Sequence, residues 1–116
     1  MDGTNKKQKI IDSIIKKTKA QKMKWNRITY QDLQDPFLQS VVDCADLNPL
    51  DSFKCAYKDG FIYLLCDIMY YLFIQPGPHK ALTQLDIPQS KMAQLRNIIR
   101  DNIDNIDSFV DSLLDE

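Results

Sequence analysis

The sequence contains little glycine and a single histidine, and both shortages limit the chemistry it can perform. Gly3, Gly60 and Gly77 are too few and too scattered to form a glycine-rich phosphate cradle. His79 has no second histidine and no glutamate near it in sequence, so a general base with an orienting carboxylate is not apparent. We therefore predict no catalytic residue and no bound cofactor, which is the pattern of a protein that is not an enzyme.

Long apolar runs are also missing. The longest, Phe61–Ile74, has fourteen residues and contains Asp67, which is too short for a helix that spans a bilayer. The apolar stretch after the first lysines, Ile10–Ile15, is too short and too polar for a secretory signal. These features predict a cytoplasmic protein with no membrane partner.

The three cysteines are evenly spaced but do not form a metal-binding motif. Cys44, Cys55 and Cys66 lie eleven residues apart, with no close pair of the C-x-x-C type. Together with His79 they could supply four zinc ligands. Because the cysteines fall on predicted core faces, we expect three free thiols and no metal site.

Charge is distributed unevenly along the chain. The first thirty residues carry nine basic side chains and two acids, whereas Asp101–Glu116 carries six acids and no base. Lysines near the end of the first predicted helix could contact a phosphate backbone, and Trp25 and Tyr30 could stack on bases. The candidate contacts are Lys16, Lys19, Lys22 and Lys24. Scarce arginine and a net charge of −1 make nucleic-acid binding the alternative function, not the first.

The length of 116 residues and an apolar content of 44% fit one domain over residues 1–116. Apolar residues at helical spacing predict a first helix, a short middle helix capped by Asp35, and a long closing helix capped by Ser90. Alternating residues predict strands. The predicted helices are Thr4 to Gln21, a segment from Pro36, and a segment from Ser90; the predicted strands include Met23–Tyr30 and Met69–Gln75.

Asp59-Gly60 predicts a hairpin with a type I′ turn, because both central residues of that turn need positive φ. This register pairs Lys58 with Phe61 and Tyr57 with Ile62. The rival interpretation, a single buried helix over Phe61–Ile74, is compatible with the length of that run.

The expected fold is α+β, with a three- or four-stranded antiparallel sheet packed by the N-terminal helix and a long C-terminal helix on one face. The expected core comprises Trp25, Phe53, Tyr57, Ile62, Leu64, Ile99, Ile103 and Val110. The other face of the hairpin carries Phe61, Tyr63 and Leu65. If Pro36–Val42 covers them, the chain can be a monomer; if not, they form an exposed patch that a homodimer would bury. The sequence leaves both open.

Several segments resemble known proteins. Lys17-Thr18, Lys24-Trp25, a Pro-rich turn and the run from Ile106 to Asp111 look like those of small uncharacterised proteins of low-GC bacteria, often encoded by phages or mobile elements. The resemblance implies no activity. We therefore expect a non-enzymatic accessory or immunity-type protein that acts through protein–protein interaction with an unidentified partner.

Overall fold

The structure, a computed structural model, describes residues 2–103 and 113–114. Four α-helices, one 3₁₀ turn and five strands alternate along this part of the chain. In order they are α1 (Asp2–Lys19), β1 (Trp25–Arg27), α2 (Tyr30–Leu33), α3 (Pro36–Gln39), the 3₁₀ turn Cys44–Asp46, β2 (Phe53–Tyr57), β3 (Gly60–Cys66), β4 (Tyr70–Gln75), β5 (Thr83–Leu85) and α4 (Gln89–Ile103).

The strands form one antiparallel sheet in which each strand pairs with the next in sequence, in the order β1-β2-β3-β4-β5. The α+β prediction is confirmed, with five strands in place of three or four. Strand β5 was missed because it has only three residues, two of them polar, and so shows no alternation. Its pairing of Leu85 with Leu72 of β4 identifies it. Residues of Phe61–Ile74 form two strands, so the single-helix alternative is wrong.

Helices α1 and α4 pack against one face of the sheet, here called the inner face. The α1 stripe of Ile11, Ile14 and Ile15 meets Trp25, whose indole Nε1 donates a hydrogen bond of 3.1 Å to Thr18 Oγ1. Five of the expected core residues are buried here: Trp25, Phe53, Ile62, Leu64 and Ile99. Tyr57 and Ile103 are half-buried at the edge of this core, and Val110 lies outside the described residues.

The short helices cover the opposite, outer face. Leu38 of α3 is fully buried and packs in one cluster with Tyr63 and Leu65 of β3 and Phe73 of β4. Pro36–Val42 therefore covers the outer face, which is the alternative that allows a monomer. Tyr63 is 1% exposed and Leu65 is 0% exposed, so the exposed patch proposed for a homodimer is not present; only Phe61 remains half-buried.

The hairpin register differs from the prediction by two residues. Ala56 pairs with Phe61 and Tyr57 with Gly60, so the turn consists of Lys58 and Asp59. Lys58 has a φ of 54°, whereas Asp59 and Gly60 do not have positive φ, so the type I′ turn is not formed. Each side chain still lies on its predicted face, because a shift of two residues preserves the alternation of a strand.

Gly60 has a different role from the one predicted for it. A Cβ atom at this position would collide with the carbonyl oxygen of Gln75 and the backbone of Pro76. Glycine is needed here so that the end of β4 can approach the start of β3.

Local capping signals fix the helix starts only in part. Asp35 caps α3 as predicted, accepting a hydrogen bond from the Phe37 N–H at 2.9 Å. Thr29 ends the strand predicted over Met23–Tyr30 because it forms a capping box with Asp32 and starts α2. The predicted Ser90 cap is wrong, since α4 begins at Gln89.

Candidate interaction surfaces

Two loops at the end of the sheet furthest from the Lys58-Asp59 turn are joined to each other. The Asn48 N–H donates to the Cys66 carbonyl at 2.7 Å, and the Cys66 N–H donates to Ser52 Oγ at 3.0 Å. The loop before β2 is thereby fastened to the start of the β3–β4 turn. Ser52 is fully buried at this junction, and its carbonyl oxygen accepts from the N–H of Ile28, the residue after β1, at 2.9 Å.

In each of these loops, one side chain accepts a hydrogen bond from the backbone two residues further on. Asn48 Oδ1 accepts from the Leu50 N–H at 3.0 Å, and Asp67 Oδ1 accepts from the Met69 N–H at 2.9 Å. Such turns hold the backbone in one shape. They present Leu50, Ile68 and Met69 to solvent with exposed fractions of 68%, 97% and 48%. We call these three residues the turn surface.

Polar contacts around the turn surface tie it to α4. Arg100 and Asp51 form an ion pair at 3.4 Å, and Arg96 Nε donates to the Tyr70 hydroxyl at 2.7 Å. The Gln89 side chain makes two hydrogen bonds of 2.8 Å with the backbone of Tyr70. The turn surface is therefore held by the sheet and by the helix behind it.

The lysines singled out from the sequence are all exposed, but the Trp25 ring expected to act with them is not. Lys16 and Lys19 lie on the last turns of α1, Lys22 follows the helix, and Lys24 precedes β1. The Trp25 ring is buried in the inner core and cannot stack on a base. Tyr30 is exposed, but it begins α2, which belongs to the layer on the outer face.

The aromatic side chain that does lie among lysines is Tyr57. Lys17 Nζ donates to the Tyr57 hydroxyl at 2.8 Å and lies 5.0 Å from the ring centroid, and Lys58 Nζ lies 5.6 Å from the same centroid. The hydrogen bond from Lys17 lowers the pKa of Tyr57. Sequence reasoning missed this residue because its neighbour Lys17 is forty positions away.

The outer face carries a partly buried ion pair between two shallow concavities. Lys54 Nζ lies 3.0 Å from Asp32 Oδ1 and 4.4 Å from the centroid of the Phe61 ring. Concavities of about 560 Å³ and 340 Å³ lie on either side of Lys54 and Phe61. Burial raises the pKa of Asp32, but hydrogen bonds from Thr29 and Lys54 outweigh it, so that pKa is lowered. The pair anchors α2 to the sheet.

No group of three or more histidine, cysteine, aspartate or glutamate side chains that could hold a metal ion occurs within residues 2–103 and 113–114. All three cysteines are free thiols: Cys44 is half-buried, and Cys55 and Cys66 are buried. Burial raises the pKa of Cys55 to about 11. His79 is exposed, with its ring 6.4 Å from that of Phe37.

In the part of the chain that the structure describes, no helix is both long and apolar enough to cross a membrane. Comparisons with protein-family models, with curated proteins and with solved structures find no match for this chain.

Proposed function

We propose that this chain is a small non-enzymatic binding protein of the cytoplasm, of the accessory or immunity type, and that it contacts its protein partner through the turn surface. The observation that carries the proposal is the exposure of Leu50, Ile68 and Met69 on two loops that are hydrogen-bonded to each other. An aliphatic side chain at the tip of a tight turn contributes nothing to the core of its own chain. It is available for burial against a partner.

The rigidity of the turn surface supports recognition by shape. Loops that already hold one conformation lose little entropy when they bind, so more of the contact energy appears as affinity. Burying one exposed isoleucine side chain contributes about 1.5–3 kcal/mol. Ile68, which is 97% exposed, is therefore the residue whose change should weaken binding most.

The polar groups of the outer face make structural contacts. Lys54 is paired with Asp32, and the Tyr63 hydroxyl hydrogen-bonds Gln75 Oε1 at 3.4 Å. The first contact joins α2 to β2, and the second joins β3 to β4. Their evident role is to hold the outer layer on the sheet.

The test uses a photoreactive amino acid placed at position 68 in cells of the native host, with a matched placement at position 94. Gln94 is exposed on α4 and is not part of the turn surface. We expect a discrete crosslinked partner from position 68 and none from position 94. A crosslinked dimer would identify the partner as a second copy of this chain.

Binding of the crosslinked partner is then measured with purified proteins by calorimetry. Ile68→Glu should raise the dissociation constant by about tenfold to 100-fold, since the aliphatic contact is lost and a charge must be desolvated. Gln94→Glu adds the same charge and should leave the constant unchanged. Equal affinities for both variants would show that the turn surface is not the contact.

A further inference from the structure

The sheet has a second distinctive surface at the end opposite the turn surface, where the β2–β3 hairpin meets the end of α1. Tyr57 is half-buried there between two ammonium groups, those of Lys17 and Lys58. Lys17 holds the Tyr57 hydroxyl directly, at 2.8 Å. This contact joins α1 to the hairpin and fixes the position of the ring.

Further lysines lie at the same end of the molecule, although only Lys17 and Lys58 contact the Tyr57 ring. The chain reverses at Gln21, which has a φ of 59°, and the Lys22 N–H donates to the Lys17 carbonyl at 2.9 Å. Lys22 is therefore placed beside Lys17. The last turns of α1 add Lys16 and Lys19, both exposed. We call the six residues the hairpin surface: Lys16, Lys17, Lys19, Lys22, Tyr57 and Lys58.

Two acidic side chains of the described residues lie near these lysines. Asp59 lies in the hairpin turn, next to Lys58, and Asp101 of α4 lines the same shallow concavity as Lys19. Counted over residues 2–103, five lysines against these two acids give the hairpin surface a local excess of positive charge, although the whole chain has a net charge of −1. A polyanion is the ligand that such local charge attracts.

We infer that the hairpin surface binds single-stranded nucleic acid, with one base stacked on Tyr57, the adjacent phosphates paired with Lys17 and Lys58, and phosphates further along the strand paired with the other lysines at the end of α1. Stacking of a base on an aromatic ring is stronger than the contact of an exposed ammonium with that ring. An incoming base can therefore displace Lys17 or Lys58 from the ring. The displaced ammonium group is then free to pair with a phosphate.

The half-buried aromatic ring distinguishes a single strand from other polyanions. The bases of a duplex are already stacked on one another and cannot reach a side chain, whereas those of a single strand can. An anionic membrane would be attracted by the lysines but has no base to stack on Tyr57. This site differs from the one predicted from sequence, because Tyr57 takes the place of Trp25 and Tyr30.

The inference is independent of the protein-binding proposal, since the two surfaces lie at opposite ends of the sheet. It is tested by fluorescence anisotropy with a labelled fifteen-nucleotide oligothymidine. The matched probes are a duplex of equal length and phosphatidylserine vesicles. Four or five phosphate contacts give a slope of about −3 for log affinity against log salt, so binding should weaken about 100-fold between 50 and 200 mM salt.

Two variants of Tyr57 separate stacking from charge. Tyr57→Ala should weaken binding of the oligothymidine by about fivefold to 100-fold, whereas Tyr57→Phe keeps the ring and should bind within about twofold of wild type. Circular dichroism and thermal melting verify the fold of each variant. Oligothymidine binding that Tyr57→Ala leaves unchanged would overturn the inference.

A pair of double variants makes the test independent of how well Tyr57→Ala folds. Replacing Lys17 and Lys58 by Gln should flatten the salt slope by about 1.4, because two phosphate contacts are lost. Replacing Lys6 and Lys9 by Gln removes the same charge from α1, about 12–16 Å further from the tyrosine, and should leave the slope unchanged. Equal slopes for the two, equal binding of the duplex or the vesicles, or no binding at 50 mM salt would each overturn the inference.

Discussion

Replacement of Leu38 by Ala tests whether the outer layer is an integral part of the fold. Leu38 is the only buried residue of α3, a helix of four residues, and it packs against Tyr63, Leu65 and Phe73. Truncation of a buried leucine costs about 2–5 kcal/mol, with the lower values where the surroundings can collapse into the space. Because α3 is a single turn, it can move toward the sheet. We therefore expect a loss of about 2–3 kcal/mol.

Thermal unfolding and urea titration both measure this loss. For 116 residues the entropy of unfolding is about 0.24 kcal/mol per degree, so the melting temperature should fall by about 10 °C. Val41→Ala is the matched control, because Val41 follows the same helix but is 37% exposed, and it should cost less than about 0.5 kcal/mol. If Leu38→Ala melts within 2 °C of wild type, α3 does not help to hold the sheet, and our account of the outer core is wrong.

Two further predictions follow from the hairpin and from a buried thiol. Gly60→Ala should destabilise the protein by about 1–3 kcal/mol in a urea titration, because the added Cβ collides with the backbone of Gln75. The control Gly77→Ala meets only ordinary contacts and should cost less than about 0.5 kcal/mol. Equal costs for the two variants would contradict the close approach of β3 and β4. The raised pKa of Cys55 means that the folded thiol keeps its proton up to about pH 11, while the unfolded thiol loses it near pH 9. The contribution of this thiol to stability is present below pH 9 and is lost as pH rises toward 11. Between pH 8 and pH 10.5 the melting temperature of wild type should therefore fall further than that of Cys55→Ala. Identical falls would disprove the contribution.

Short-range patterns were enough to place most of the elements. The cap at Asp35 and the proline after it marked the start of α3, and the spacing of Ile11, Ile14 and Ile15 marked the buried stripe of α1. These signals act within one helical turn, so they depend little on the rest of the chain. The same holds for the two faces of the hairpin, which alternation assigned correctly although the register was wrong by two residues.

The surfaces were much harder to predict. Tyr63 and Leu65 were expected to be candidates for an interface, yet both are buried under α3. Leu50 and Ile68, which the sequence patterns did not single out, are exposed. A signal for Ile68 did exist, since an aspartate followed by an isoleucine in a tight turn leaves the isoleucine no core to enter. The contact between Tyr57 and Lys17 was equally hard to predict, because no residue within ten positions of Tyr57 indicates that Lys17 lies beside it.

The sequence by itself determined the α+β class, the single core face of α1 and α4, and the side of the sheet on which each hairpin residue lies, because periodicity and capping are local properties of the chain. Only the tertiary structure decided which apolar residues are covered and which lysines surround an aromatic ring. Those outcomes depend on contacts between segments far apart in sequence, such as Leu38 with Tyr63 and Lys17 with Tyr57. Both proposed binding surfaces arise from such contacts: one from loops joined through Ser52 and Cys66, the other from a helix end that meets the tip of a hairpin.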